Sequence, residues 1–481
     1  MNRSLLAALR GTVLAAAVSV GVACSGGGSG PGGAPGPAHS ASGPSQVTLG
    51  PSADTRPVPA GAWPEFNRDA ARTGVAPGLP PAGPLTHRWT ARLDGAVYGQ
   101  PLVVGTLVIA ATENDTVYGL DSSTGKVVWS RHLGTPVQQG QVQCGNIFPL
   151  GITGTPVYDR ANGLVYAVAE MSVSDQVHHV LFGVSVRDGA VRVERDIRAP
   201  DGDAKQDQQR PGLTIDHGRV YVAFGGLAGD CGQYRGTLVG VPLSGAGAII
   251  SYMVPTPREG AIWGTGGPVV GPGGDLWVST GNGAAESGDP YDGSDSVLRL
   301  SPSLRRLDLF APATWAADNA GDQDLGSSQP VLAAGNTTFI MGKRGVGYLL
   351  NTASLGGIGH ELASLSICPA YGAAAVSGDT VYEPCHSGLA AIRVNAQHRQ
   401  IQVLWRGPSG AGGSPVVGGG AVWVTQYSDT GGTLYELNPA DGSVRSQISI
   451  AAGLPHFSSL SLAGGTAFVS TLDGVVAIDG V

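Results

Sequence analysis

From Pro101 onward, apolar runs of strand length alternate with turn residues in one fixed order. Pro101-Leu102-Val103-Val104 is followed by Leu107-Val108-Ile109-Ala110, then by Thr116-Val117-Tyr118-Gly119-Leu120-Asp121, Thr124-Gly125 and Val127-Val128-Trp129. Short apolar runs bounded by Gly, Asp and Thr predict strands joined by hairpins. The order returns at Pro415-Val416-Val417, Ala421-Val422-Trp423-Val424 and Gly432-Thr433-Leu434-Tyr435-Glu436-Leu437. Weaker copies begin at Thr155-Pro156-Val157, Gly267-Pro268-Val269-Val270 and Gln329-Pro330-Val331-Leu332. Two further copies centre on Val220-Tyr221-Val222 and Thr380-Val381-Tyr382, and a last one runs from Thr466 to Asp479.

The eight units take roughly 50 residues each, the size of a four-stranded blade with its loops. A β-rich sandwich would not keep one order of run, turn, Gly and Asp through every unit. The pattern therefore predicts an all-β, eight-bladed β-propeller of four-stranded antiparallel blades over residues 63–481. The last unit lacks an outer strand, and Thr86-His87-Arg88-Trp89-Thr90-Ala91 can supply it. Pairing of N- and C-terminal strands would close the ring and remove an open sheet edge. Within a unit, Asp121 is placed to bond backbone N–H groups of its turn. Trp129 is placed to fill the gap to the next blade, and Trp89 has the same place in the closing strand.

Composition agrees with many short strands. Only 13% of the 481 residues are charged, 77 are glycine, and no amphipathic helical stretch stands out after the N-terminus. The net charge is −8, with three lysines and no basic stripe, which argues against a nucleic-acid partner.

The N-terminus adds targeting. Arg3 and Arg10 precede an apolar stretch from Thr12 to Ala23 that is too short for a comfortable membrane span. Gly21-Val22-Ala23-Cys24 resembles a bacterial lipoprotein cleavage box, with Gly21 where a larger aliphatic residue is usual. That resemblance implies a signal peptide over 1–23, lipidation of Cys24 and an extracytoplasmic protein anchored to the membrane. A plain secretory signal cut nearby is the alternative. Residues 24–62 are rich in Gly, Pro, Ser and Ala and read as a flexible tether. Four cysteines remain, an even number that favours disulfides in an exported chain. Cys368 and Cys385 fall within one unit, so the expected pairs are Cys368–Cys385 and Cys144–Cys231; four buried free thiols are the alternative.

Residues Gly119 to Trp129 resemble the Ala-x-Asp-x-x-x-Gly-x-x-x-Trp docking motif of pyrroloquinoline quinone (PQQ) propellers, with Gly119 in place of the alanine. The lead-in Trp63-Pro64-Glu65-Phe66 with Arg72-Thr73-Gly74 is similar to the start of many lipoproteins with this repeat. The family includes quinone-dependent alcohol and sugar dehydrogenases, which use PQQ and calcium, and non-catalytic lipid-anchored propellers. The resemblance to the first branch implies roles for four residues. Trp263 resembles the tryptophan that forms the quinone's floor. Asn282, in Thr280-Gly281-Asn282-Gly283, resembles a calcium ligand. Asp324, in Asp322-Gln323-Asp324-Leu325-Gly326, resembles the catalytic aspartate at the calcium. Lys343 resembles the cation that contacts the quinone oxygens. Each also has a plainer reading: a turn residue for Asn282, loop-capping carboxylates for Asp322 and Asp324, blade packing for Trp263 and a solvated surface for Lys343.

Three departures weigh against the enzyme. Cys144 is followed by Gly145, so the vicinal disulfide of those dehydrogenases cannot form. Gly225-Gly226 is followed by Leu227 where they carry a glutamate ligand, and Asp230 is a loose substitute. No Cys-x-x-Cys-His haem motif occurs. The reading that follows is a lipid-anchored, non-catalytic binding or scaffold propeller for a protein or envelope ligand, without a cofactor. A PQQ- and calcium-dependent dehydrogenase of an alcohol or sugar is the alternative. His178-His179 reads as a solvated polar loop, and His386 beside Cys385 loses its thiol partner to the expected disulfide. No Gly-x-Ser-x-Gly elbow and no phosphate-binding loop appear.

Overall fold

The computed structural model describes residues 58–199 and 203–481. The expected signal peptide, Cys24 and nearly all of the expected tether lie outside these residues. Eight sheets follow one another along the chain. Blade 1 is Leu102–Val104, Leu107–Ala111, Thr116–Asp121 and Val127–His132. Blades 2 to 7 occupy 157–197, 207–253, 269–311, 331–366, 375–409 and 416–450. Blade 8 is Leu460–Ala463, Thr466–Thr471 and Gly474–Asp479, completed by Thr86–Arg92 from the other end of the chain. That closing pair is antiparallel and runs from Thr86 opposite Asp479 to Arg92 opposite Gly474. The expected all-β, eight-bladed ring closed by its two ends is thus the observed fold.

Three blades depart from four strands. In blade 3 the extra strand is Asp207–Gln208. Gly357–Ile358 pairs in parallel with the outer strand of blade 4, and Val75–Ala76 pairs in parallel with the inner strand of blade 7. Among the described residues no helix is long and apolar enough to cross a membrane.

The blades are held by the motif read from the sequence. Asp121 Oδ1 accepts from the Ser123 and Thr124 backbone N–H groups at 3.1 and 2.9 Å. Trp89 donates from its indole to Ser122 O at 3.1 Å and covers Gly125, whose φ is +71° and where a Cβ would stand 2.6 Å from the ring. Trp129 donates to Val186 O at 2.9 Å in blade 2, as expected. A third copy, Trp405 donating to Pro439 O at 2.8 Å, joins blades 6 and 7. Each tryptophan buries its ring between neighbouring blades, where apolar packing is worth a few kcal/mol, about 25 cal/mol per Å².

Residues 63–76 form no blade. They cross the inner strands at one end of the ring axis. Trp63 exchanges backbone hydrogen bonds with Val103 at 2.9 Å in blade 1. Tyr158, Val270, Val376 and Val417, in blades 2, 4, 6 and 7, donate their N–H groups to Pro64, Ala70, Thr73 and Gly74. Arg72 donates to Leu213 O at 2.8 Å in blade 3. The inner strands leave N–H groups unpaired toward the axis, and this segment satisfies them. It is a plug, which the sequence reading took only as a lead-in.

Candidate functional site

In an up-and-down blade, the loop after the second strand and the crossover to the next blade share one face. Those loops meet at one end of the axis. They enclose a cavity of about 380 Å³. Trp263 (the crossover from blade 3), Asn282 (a loop of blade 4), Asp324 (the crossover from blade 4) and Lys343 (a loop of blade 5) all line it, although the resemblance alone had put them together. Asp322 and Asp230 line it too.

Local backbone contacts draw these loops in. Gly281 donates to Ala261 O at 2.9 Å and Gly260 to Asn282 O at 2.7 Å, fixing the Trp263 segment against the Asn282 loop. Lys343 N–H donates to Asp324 O at 2.9 Å, and a Cβ on Gly342 would fall 2.3 Å from that same oxygen. Only glycine allows so close an approach.

Asp324 is buried, and both carboxylate oxygens are engaged. Oδ1 accepts from the Asn282 backbone N–H at 2.6 Å, and Oδ2 lies 2.7 Å from Lys343 Nζ. Lys343 also reaches Asp322 at 2.6 Å and stands 5.6 Å from the Trp263 ring centroid. Burial raises the Asp324 pKa, against the opposing pull of Lys343. For Lys343, burial alone would lower the pKa, but Asp324 and Asp322 outweigh it and the ammonium is held charged. Behind Asp324 lies Asp295, fully buried, which accepts from Leu325 N–H at 2.9 Å and fixes the loop. Burial, then the Asp324 charge, raises its pKa well above the usual carboxylate range. Leu227, where the dehydrogenases carry a glutamate, is 2% exposed and packs with Val137, Ile147 and Leu150. The Asn282 side-chain amide faces Glu259 at 3.5 Å.

The cavity has a second wall that the sequence did not reveal. Arg210, Tyr371, His456 and Phe457 come from the approaches to the inner strands of blades 3, 6 and 8. Arg210 Cζ stands 4.8 Å from the Phe457 ring centroid, Phe457 stacks on Tyr371 at 6.1 Å, and Trp263 is 6.3 Å from Phe457. Phe66 of the plug lies beneath Arg210 and Phe457. These residues follow no family spacing. The one available signal was Arg210-Pro211-Gly212, a lone charge in a small-residue approach to an inner strand.

Both expected disulfides form, Cys144–Cys231 with Cα atoms 6.2 Å apart and Cys368–Cys385 at 5.8 Å, consistent with an oxidising, extracytoplasmic compartment. The first ties the loops that carry Asn146 and Asp230 at the cavity mouth. His386 accordingly has no thiol beside it. His178 and His179 correct the sequence reading. They lie on the blade 2 strand Gln176–Ser185, not in a loop. His178 pairs with Asp196 at 2.7 Å, while His179 is wholly buried, 3.5 Å from Glu170 and edge-on to Phe224.

Residues 86–228 match the family model described as outer membrane protein assembly factor BamB. No curated protein matches the chain. Among solved structures, BamB from Moraxella catarrhalis is 15% identical with a TM-score of 0.58, covering 82% of this chain and 100% of that one. The quinohemoprotein alcohol dehydrogenase ADHIIG from Pseudomonas putida HK5 is 14% identical with a TM-score of 0.68, covering 88% and 80%. The quinohemoprotein alcohol dehydrogenase from Comamonas testosteroni is 14% identical with a TM-score of 0.65, covering 88% and 81%. At these identities the likeness is one of fold, and the same fold serves an assembly factor and redox enzymes.

Proposed function

We propose that this chain, whose repeat is of the PQQ type, is a lipid-anchored extracytoplasmic propeller that binds an envelope ligand in its axial funnel without transforming it. The observation that carries the reading is the state of Asp324. A catalytic base needs a carboxylate whose proton affinity is not already spent on a cation, and a metal ligand needs one that is not already neutralised. Here the Lys343 ammonium is paired with one Asp324 oxygen and the Asn282 N–H holds the other, which leaves the carboxylate able to accept a ligand's hydrogen bond but compensated as a base or metal ligand. Cys24 would hold the protein to the membrane, with residues 24–62 as spacer. The likeness to an outer membrane protein assembly factor supports a protein partner on the ring as well.

A second reading, quinone-dependent oxidation of an alcohol or sugar, is favoured by one observation: Trp263, Asn282, Asp324 and Lys343 share one cavity. The residues fit the two groups of such an enzyme unequally. A flat, anionic quinone suits an aromatic wall with Lys343 and Arg210 beside it. Calcium is poorly served, because Leu227 replaces a carboxylate and, among the described residues, no three His, Cys, Asp or Glu side chains could hold one ion.

Calorimetric titration with PQQ, with and without Ca²⁺, separates the two. The binding reading expects no calcium-dependent affinity and no dye-linked alcohol oxidation. Tight calcium-dependent uptake that is lost in Asn282→Ala would overturn it. For the ligand itself, the full chain is incubated with an envelope extract, and small molecules released on heating are identified by mass spectrometry. The binding reading expects molecules held by the native protein and lost when Trp263→Ala empties the wall. Cys24→Ala should move the protein from the membrane to the soluble fraction, and unchanged retention would refute the anchor.

A further inference from the structure

Arg210 lines both the funnel and the small space above Phe66. It has no ion pair among the described residues. After the Tyr98 phenol, the acid that acts on it most is Glu113, which is buried with its pKa pushed up to about 8 and so carries little charge near neutral pH. His456 beside it is held neutral, its pKa lowered to about 4 by burial and by Arg210 itself. Tyr98 and Tyr427, its other electrostatic neighbours, are pushed further from ionisation by burial. A guanidinium partly withdrawn from water, as Arg210 is, and left unneutralised carries a cost that a bound anion would offset.

The backbone also invests in this position. Phe457 adopts φ +61°, a conformation that bulky residues avoid, and so places its ring against the guanidinium. Stacking fixes the plane of the guanidinium and leaves its N–H edge free for an oxyanion. Across the cavity, Lys343 serves two carboxylates, Asp322 and Asp324, with Asp230 nearby. That pole is net acidic. It accepts hydrogen bonds and repels a second anion.

We infer that the funnel recognises a small ring-bearing organic acid, with its single carboxylate on Arg210, its ring against Phe457 and Trp263, and hydroxyl or amino donors toward Asp322 and Asp324. The inference rests on the binding reading above and adds the chemical class and orientation of the ligand. A polyanion would place a negative group against the acidic pole.

The test uses the full chain and two probes, D-glucuronate and 4-hydroxybenzoate, each paired with a neutral counterpart, D-glucose and phenol. Binding is followed by tryptophan fluorescence and calorimetry. One acid should bind at least ten-fold tighter than its neutral counterpart, Arg210→Gln should abolish the difference, and Arg210→Lys should keep part of it. Arg445→Gln, on the outside of blade 7, should change nothing. Thermal melting gives a second readout: without ligand, Arg210→Gln should melt higher than the native protein, because it removes an uncompensated charge. Equal affinity for acid and neutral probe, or unchanged binding in Arg210→Gln, overturns the inference and leaves the funnel a binding site. If neither acid binds at millimolar concentration, the inference also falls. The binding reading then falls with it only if the envelope extract yields no retained molecule.

Discussion

The Lys343 ammonium lies 2.7 Å from the Asp324 carboxylate, whose side chain is 5% exposed. Lys343→Met should therefore strand a buried charge. Breaking such a pair costs about 3–5 kcal/mol, whereas removing both charges is often neutral. The single variant should lose that much stability in urea unfolding, and Lys343→Met with Asp324→Asn should recover most of it. The direction with pH is set as well. Without Lys343, the raised Asp324 pKa rises further, so the variant's deficit should shrink as pH falls and the carboxyl is protonated in the fold. A deficit equal at pH 5 and pH 8 would contradict the role given to Lys343.

Arg72 tests the plug. It is buried, 2.8 Å from Glu65, and reaches Leu213 O in blade 3. Burial pushes the Glu65 carboxyl up to about 7 and pulls the Arg72 guanidinium down, so the pair persists through mutual compensation. Arg72→Ala should destabilise the fold by about 3–5 kcal/mol. The loss should show as faster amide exchange at Val270, Val376 and Val417, whose N–H groups the plug accepts. Exchange unchanged at those amides would mean the ring stands without its plug.

The ring itself was legible because a blade must bury both faces, and that need repeats in every unit as the same order of apolar runs and turns. Closure was legible for the same reason: Trp89 sits in a strand with no partner nearby in the sequence. The site divides differently. Asn282 and Asp324 keep a recognisable order along the chain, so a resemblance could find them. Arg210, Tyr371 and Phe457 could not be found that way, because their nearness depends on the approaches to three separated blades and no local pattern encodes it. The plug was missed because its hydrogen bonds are spread in short contacts over six different blades. His179 was misread because a histidine pair looks polar, while the strand that carries it faces inward.

The two disulfides should differ in weight. By the loop-closure argument, cross-linking across 87 residues contributes about 4–5 kcal/mol and across 17 about 3 kcal/mol. Replacing Cys144 and Cys231 with serine should therefore lower the denaturation midpoint more than replacing Cys368 and Cys385. The first pair frees the loops with Asn146 and Asp230, whereas Tyr371 beside the second pair is still held by its N–H donating to Pro384 O at 3.2 Å, so loss of the first pair should weaken ligand binding in the funnel more. Equal midpoints, or binding lost only with the second pair, would count against this assignment.

Stability should fall as pH rises from the acid range toward about 8 to 9. Burial pushes Glu113 up to about 8, Asp115 to about 9 with the Glu113 charge adding to it, and Glu383 to about 8. All three are almost wholly buried, and oxygens of each lack a partner in the fold. In the unfolded chain the same carboxyls titrate near 4. The folded state therefore binds more protons between these limits. Stability contributed by the three groups is fully present below about pH 4 and is lost as pH passes through about 8 to 9, at up to about 1.4 kcal/mol per pH unit for each group. Depressed carboxylates such as Asp121 act only at the acid end, since their contribution is lost below their own low pKa. Urea midpoints measured from pH 5 to pH 9 should decline, most steeply in the lower part of that range where folded and unfolded carboxyls differ fully in charge. Glu113→Gln, Asp115→Asn and Glu383→Gln together should flatten the profile, because each amide keeps the shape and carries no charge at any pH. A native profile that is flat or rises to pH 9 would mean that these carboxyls are ionised in the fold and find their compensation elsewhere.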